Sequence, residues 1–333
     1  MRWIIGACLA AAVLWAGYWF VGSTAAERGA KAWFADRSAQ GWVADYDSIE
    51  TRGFPSRFDT TINALELADP RTGWAWSAPF FQVFALSYKP NHIIAVWPNE
   101  QTIATPLARA NITAEDMRAS AVFLPDTALT LDSATFTFEG LEATGNGGAV
   151  TQITNGTVSV RRAANAELTR DFYAQLKDVT LPDALRAQLD PADVLPQIIE
   201  GLTIDVTASF DAEWNRFAIE QARPQPTSID LNLLAASWGG LDLRAAGDVT
   251  LDGNGVPTGE IQLKATNWRE MLKVAENSDM VPQGVLPFIE RGLQMLAGLS
   301  GNTATLDVPV TFRNGNMAIG PFPIGPAPRI RLR

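Results

Sequence analysis

From residue 99 onward, apolar and polar residues alternate with a period of two. Leu202, Ile204, Val206, Ala208 and Phe210 are separated by Thr203, Asp205, Thr207 and Ser209. Leu241, Leu243, Ala245, Val249 and Leu251 keep one parity, with Asp242, Arg244, Asp248 and Thr250 on the other. Ile261, Leu263 and Ala265 repeat the pattern, as do Ala304, Leu306, Val308, Val310 and Phe312. Successive side chains of a strand point to opposite faces, so this is the signature of antiparallel strands with one dry face and one wet face. Gly145-Asn146-Gly147-Gly148, Asp252-Gly253-Asn254-Gly255 and Asn314-Gly315 supply hairpin turns between such strands. Pro309 falls on the polar parity of its strand and predicts an edge or a bulge.

Helical signals are sparse. Leu181-Pro182-Asp183 opens a short helix to Leu189. Asn267 is placed to cap a helix over 268–276 with Glu270 at the reciprocal position, and residues 286–299 carry Leu286, Ile289, Leu293 and Leu296 at helical spacing. So few helices cannot cover the dry faces of ten or more strands: the sheets cover each other, or one curls into a trough that holds something oily. The predicted class is mainly β (α+β): an N-terminal transmembrane helix, then a large curved antiparallel sheet, half-barrel or sandwich, with about three short helices.

The N-terminus sets the compartment. Residues 3–21 contain no charge and follow only Met1 and Arg2. As a helix they reach roughly 28 Å, near the thickness of the hydrocarbon layer. Trp3 begins the run, and Trp15, Tyr18, Trp19 and Phe20 end it, the aromatic types that settle at membrane–water interfaces. Ser23-Thr24-Ala25 would suit signal-peptide cleavage, but the run exceeds a signal core, and 24–40 continues in helical composition to a stop at Gly41. The expected organisation is an anchor over 1–23, a juxtamembrane helix over 24–41 and a β-rich ectodomain over 42–333, with a subdivision near 181–200 left open. Arg2 and the amino terminus face a mixed Glu27, Arg28, Lys31 cluster, which places the N-terminus in the cytoplasm and the bulk outside.

The formal net charge is −10, and removing Arg2 leaves −11 for the remainder. That surface repels phosphate backbones, so nucleic acid is not an expected partner. Cys8 is the single cysteine and lies inside the apolar run, which excludes an ectodomain disulfide or thiolate metal site. The preceding Ile5-Gly6-Ala7 resembles a lipoprotein box without the apolar run that should precede it. His92 is the only histidine and reads as a strand-edge residue bonded to backbone. Phosphate-cradling and nucleophile-elbow motifs are missing from the sequence, and Asp252-Gly253-Asn254-Gly255 begins like a calcium loop without continuing as one. Asn111-Ile112-Thr113 and Asn155-Gly156-Thr157 match glycosylation acceptors, a pattern that recurs by chance. No catalytic residue, metal site or cofactor is assigned.

The aromatic stretch over 73–98 predicts a hairpin of strands 80–88 and 92–97 about a Lys89-Pro90-Asn91 turn. Trp74, Trp76, Phe81 and Trp97 are its candidate apolar lining for a ligand, against the plainer reading of core packing. Gly53-Phe54-Pro55-Ser56-Arg57 reads as a turn between strands.

That turn, with Trp76-Ser77-Ala78-Pro79 and Tyr88-Lys89-Pro90-Asn91-His92 behind an N-terminal anchor, resembles the alphaproteobacterial family called domain of unknown function 2125. The resemblance covers most of the ectodomain. It marks Gly53, Phe54, Pro55, Arg57, Asn91 and His92 as motif residues of unassigned role and implies a bacterial envelope setting. A looser architectural likeness is to AsmA-type envelope proteins, implicated in lipid handling. The resulting expectation is a single-pass inner-membrane protein with its bulk in the periplasm, binding or passing a lipid or other apolar ligand. The alternatives are an envelope scaffold that binds another membrane protein, and a carboxylate-dependent glycan hydrolase.

Overall fold

The computed structural model describes residues 1–164, 166–220, 223–277, 286–299 and 304–332. Among these residues an apolar N-terminal helix is followed by eighteen antiparallel strands, the class that the alternation predicts. The chain forms two compact units, residues 1–124 with 136–148, and residues 125–135 with 149–333. The stretch 181–200 lies inside the second.

In the first unit, α1 (Arg2–Ala39) runs unbroken through the anchor and juxtamembrane segments. It ends where Gly41 takes φ +87°, a left-handed value open to glycine. β1 (Val43–Asp45) and β2 (Ser48–Arg52) pair one after the other along β3 (Arg57–Asp69), whose other side pairs with β4 (Trp74–Leu86). β4 then forks. Its residues 82–86 pair with β5 (Lys89–Val96), and its residues 75–77 pair with β6 (Glu100–Ala104). β8 (Asp116–Phe123) extends the first branch, and β7 (Arg109–Thr113) followed by β9 (Leu131–Gly145) extends the second.

The fork has a local cause. Ala64 sits at φ +50°, opposite the stretch of β4 that holds Pro79, which has no N–H to give. The burial of β3 changes phase there: Phe58, Thr60 and Ile62 are buried before it, Leu65 after it. Ile62, Leu65 and Ala78 therefore share one core with Ile49 and with Phe34 of α1. The hairpin turn in this region falls at Ser87–Tyr88, two residues earlier than the sequence predicts, and β4 passes through Pro79 instead of starting after it.

The second unit is a meander. β10 (Val150–Arg162), β11 (Thr169–Thr180), β12 (Ile198–Phe210), β13 (Pro226–Trp238) and β14 (Leu241–Leu251) each pair with the next. β15 (Pro257–Thr266), β16 (Thr305–Arg313), β17 (Asn316–Ile319) and β18 (Phe322–Pro326) continue it. Among the described residues β18 does not pair back onto β10, so the meander is open. Pro309 marks the point where the β17 pairing, which covers Val310–Arg313, stops. Asn314 and Gly315 take φ +53° and +73°, as a two-residue hairpin turn requires.

Four helices interrupt the meander among the described residues: α2 (Asp183–Leu189), α3 (Arg216–Glu220), α4 (Trp268–Asn277) and α5 (Leu286–Leu299). α3 is the one that the sequence did not announce. Asn267 does not cap α4 with its side chain. At φ +55° it is outside the extended conformation of a capping residue; its carbonyl accepts from Glu270, and its amide donates to the Gly240 carbonyl at 2.6 Å. Glu270 bonds Lys273 instead of closing a capping box.

Asp252 shows what the calcium-like motif does. Its carboxylate accepts from the Val256 and Asn254 amides at 2.9 and 2.8 Å within the β14–β15 turn. Those two bonds hold its pKa below the ordinary carboxylate value. A depressed native pKa stabilises above the unfolded value near ~3.9 and is lost as pH falls through the native one. Asp252→Asn is therefore expected to flatten the fall in melting temperature below about pH 4, with the wild-type and variant curves converging at the acid end.

Candidate functional site

Three places bring the sequence's candidate residues together or apart. The first is an aromatic chain in the first unit. Trp76 meets Phe81 at 5.4 Å between ring centroids, Phe81 meets Trp97 at 5.1 Å, and the chain runs on to Phe136 and Phe138, mostly edge to face. The Trp76 indole donates to Gln101 at 2.7 Å. Trp74 stands apart, exposed. Trp76 and Phe81 pack on the Phe34–Leu65 core, as the plainer reading has it.

Next to this chain, a shallow cavity of about 750 Å³ crosses β3, β4, β6 and β7 at the fork, lined by Leu65, Glu66, Ser77, Gln101, Thr102 and Asn111 among others. Its lining mixes these polar groups with apolar ones, among them Ala78, Pro79 and Ile112. Glu66 and Glu100 both line it, but both stand exposed to water, outside the apolar surroundings that a glycosidase gives its acid.

The second place is the family-like turn. Gly53 takes φ +104°, and a Cβ there would lie 2.9 Å from the Arg57 carbonyl, so the turn requires glycine. Phe54-Pro55 packs against α1: Trp19 meets Phe54 edge to face at 5.4 Å and stacks on Phe58 at 6.1 Å, and Phe20 stacks on Phe54. Trp15 donates to the Pro55 carbonyl at 3.0 Å, Trp19 to the Arg57 carbonyl at 2.7 Å and Tyr18 to the Ser87 carbonyl at 2.6 Å. Aromatics that the sequence assigns to a lipid interface thus form a docking face against this turn, with Trp19 only 5% exposed, while Trp3 is 92% exposed. Arg57 pairs with Asp59 at 2.6 Å.

Gly22 makes the docking close. A Cβ there would sit 2.5 Å from the Phe58 ring, which Trp19 and Tyr18 hold in place. Gly22→Ala is expected to cost about 1–3 kcal/mol by overpacking, read as a lower melting temperature of the full chain in detergent.

Asn91 and His92 stitch strands. Asn91 donates to the Phe123 carbonyl at 2.7 Å. His92 bonds the Ser120 hydroxyl at 2.9 Å, a side chain on the neighbouring strand where a backbone partner was expected. The facing β8 strand offers Ser120 two positions from its register partner Val122.

The third place is the dry face of the second unit. Val158, Ala174, Ile204 and Leu234 are successive cross-strand partners from β10 to β13, and the row continues through Ala245, Leu263 and Val308. A second row runs Leu176, Leu202, Ala236, Leu243, Ala265, Leu306, and a third runs Val160, Phe172, Val206, Leu231. Directly opposed residues share a face, so the rows form one apolar surface. Trp268, Met271 and Leu272 of α4, with Leu293 and Ala297 of α5, cover it over β14–β16. Over β10–β13, Val158 and Ile204 remain 46% and 43% exposed.

One end of this face is closed by Arg170, the largest fully buried side chain among the described residues. Its guanidinium donates to the carbonyls of Glu167 at 2.6 Å, Thr169 at 3.0 Å and Leu131 at 3.4 Å. Burial, then the neighbouring Arg162 charge, pull its pKa down, against weaker support from Glu213 and Asp132. Phe172, Phe210 and Trp214 pack edge to face nearby in the same unit.

A family model described as "Uncharacterized protein conserved in bacteria (DUF2125)" matches residues 19–328. The chain belongs to this family. The DUF2125 match takes in both units and begins at Trp19, the residue most deeply buried where α1 meets the Gly53–Arg57 turn. No curated protein and no solved structure gives a match. Sequence reasoning missed Gly22, Phe58, Ser87 and Arg170. Only Gly22 carried a signal, as a small residue in a run of bulky ones. The α1 helix is long and apolar enough to span a membrane.

Proposed function

We propose that this protein is held by α1 in the bacterial inner membrane, with its β units in the periplasm, and that it binds or passes a lipid or other apolar molecule. The site of binding is the dry face of β10–β13. The observation that carries this reading is the open end of the first apolar row, where Val158 and Ile204 stay solvent-exposed while the two rows that continue over β14–β16 lie under helices. Arg2 on one side of the apolar run, against the mixed charges of Glu27, Arg28 and Lys31 on the other, supports a cytoplasmic N-terminus. The reading needs no covalent chemistry.

The test is native mass spectrometry of the full chain in detergent. Wild type is expected to retain phospholipid through size exclusion, and Ile204→Asp is expected to lose it. Because Ile204 is already 43% exposed, the variant should cost only about 1 kcal/mol of stability. Equal lipid retention by both would assign the lipid to α1 and turn the reading toward the scaffold, whose partner would be another envelope protein.

A further inference from the structure

We infer that the tip of the first unit, formed by the Phe54-Pro55 turn and the Ser87–Tyr88 turn, is immersed in the outer part of the same bilayer that α1 crosses. The inference rests on the membrane-anchored reading and adds a second contact with the lipid surface.

Trp15 is the first helix residue hydrogen-bonded to the β unit, through the Pro55 carbonyl. The free part of the apolar run, residues 3–14, is twelve residues. At 1.5 Å each it reaches only about 18 Å, against about 30 Å of hydrocarbon. The first charge after Arg2 is Glu27. The uncharged stretch of 24 residues between them spans about 36 Å, enough to cross. A helix placed by its charges therefore draws the turns beside Trp15–Gly22 roughly 10 Å below the near boundary, the depth to which interfacial segments sink.

The tip is built for that depth. Beside exposed Pro55, Ser56, Arg57 and Lys89 it carries two exposed aromatic rings: Phe54 is 55% exposed and Tyr88 66%, next to Phe20 on the helix at 60%. Its backbone asks nothing of water at five carbonyls. Those of Gly53, Pro55, Ser56, Arg57 and Ser87 accept from Arg57 N, Trp15 Nε1, Ser87 N, Trp19 Nε1 and the Tyr18 hydroxyl respectively. Ser87 Oγ adds a second bond to Pro55, and Ser87 itself is fully buried. Non-helical backbone at membrane depth persists only when its polar groups are satisfied within the protein. Arg57 and Lys89 follow the two turns in sequence, and their long side chains can reach headgroups while their stems stay in the apolar layer.

The experiment uses the full chain in phosphatidylcholine/phosphatidylglycerol liposomes, on a Cys8→Ser background. An environment-sensitive fluorophore is placed in turn at Phe54→Cys, Tyr88→Cys, Val13→Cys and Leu107→Cys. Leu107 is 94% exposed on the β6–β7 turn and serves as the aqueous control. Nitroxide-bearing lipids are expected to quench labels 54, 88 and 13, aqueous iodide only 107. Labels 54 and 88 quenched by iodide while 13 responds to lipid would overturn the immersed tip and leave the anchor standing. If label 13 also responds to iodide alone, the membrane reading itself fails. Tyr88 makes no ring contact with the helix, so its label reports even if the Phe54 substitution loosens the turn.

Discussion

Replacing Trp19 with alanine is expected to remove about 3–5 kcal/mol from the docking of α1 on the first unit. The indole is 5% exposed, touches Phe20, Phe54 and Phe58, and donates to the Arg57 carbonyl at 2.7 Å. Alanine leaves a ring-sized void and removes the donor from a partly buried acceptor. Trp19→Phe separates the two effects: most of the ring remains and only the donor is lost, so the cost should fall to about 1–3 kcal/mol. Thermal unfolding of the full chain in detergent, with protease protection of the α1–β2 junction as a second readout, measures both. A Trp19→Ala protein that melts and resists protease like wild type would mean that the helix is not docked.

The second large effect is at Arg170. Arg170→Ala deletes the largest fully buried side chain among the described residues and orphans the Glu167 carbonyl, with a weaker loss at Leu131, while the Thr169 carbonyl keeps its bond from the Ala163 N–H. An expected loss of at least about 3 kcal/mol follows from the void and from acceptors worth about 1–3 kcal/mol each. Removing a desolvated cation gives some of this back, and Arg170→Met shows how much. It keeps most of the volume and relieves the buried charge, so it should be clearly more stable than the alanine variant. Denaturant unfolding of the three proteins orders them. A methionine variant as unstable as alanine would show that the carbonyl bonds, not the packing, hold this end of the sheet.

The strands of the second unit were legible because their faces differ: β12, β14, β15 and β16 alternate cleanly, and their turns carry glycine and asparagine. The first unit was harder. Its strands are apolar on both parities around Phe80–Phe84, and the phase change at Ala64 depends on one left-handed residue that no pattern announces. Asn267 failed as a cap for the same reason, since a positive φ at a non-glycine residue is set by tertiary contact. The aromatic end of the anchor was visible in composition, but which rings face lipid and which face protein depends on partners some 40 to 70 residues away, such as Pro55 and Ser87. Arg170 was one basic residue among 26 in the sequence. Only the closure of β11 against the Leu131 segment buries it.

Lipid contact with the open rows is tested most directly by site-resolved photolabelling. A photoreactive fatty acid or phospholipid is added to the full chain in bilayers, irradiated, and the labelled peptides are sequenced. The account predicts label on the peptides that carry Val158, Ile204 and Leu234, competed by unlabelled lipid, in addition to label on α1. Label confined to α1 and the Phe54 and Tyr88 turns, with β10–β13 unmarked at any lipid concentration, would contradict it.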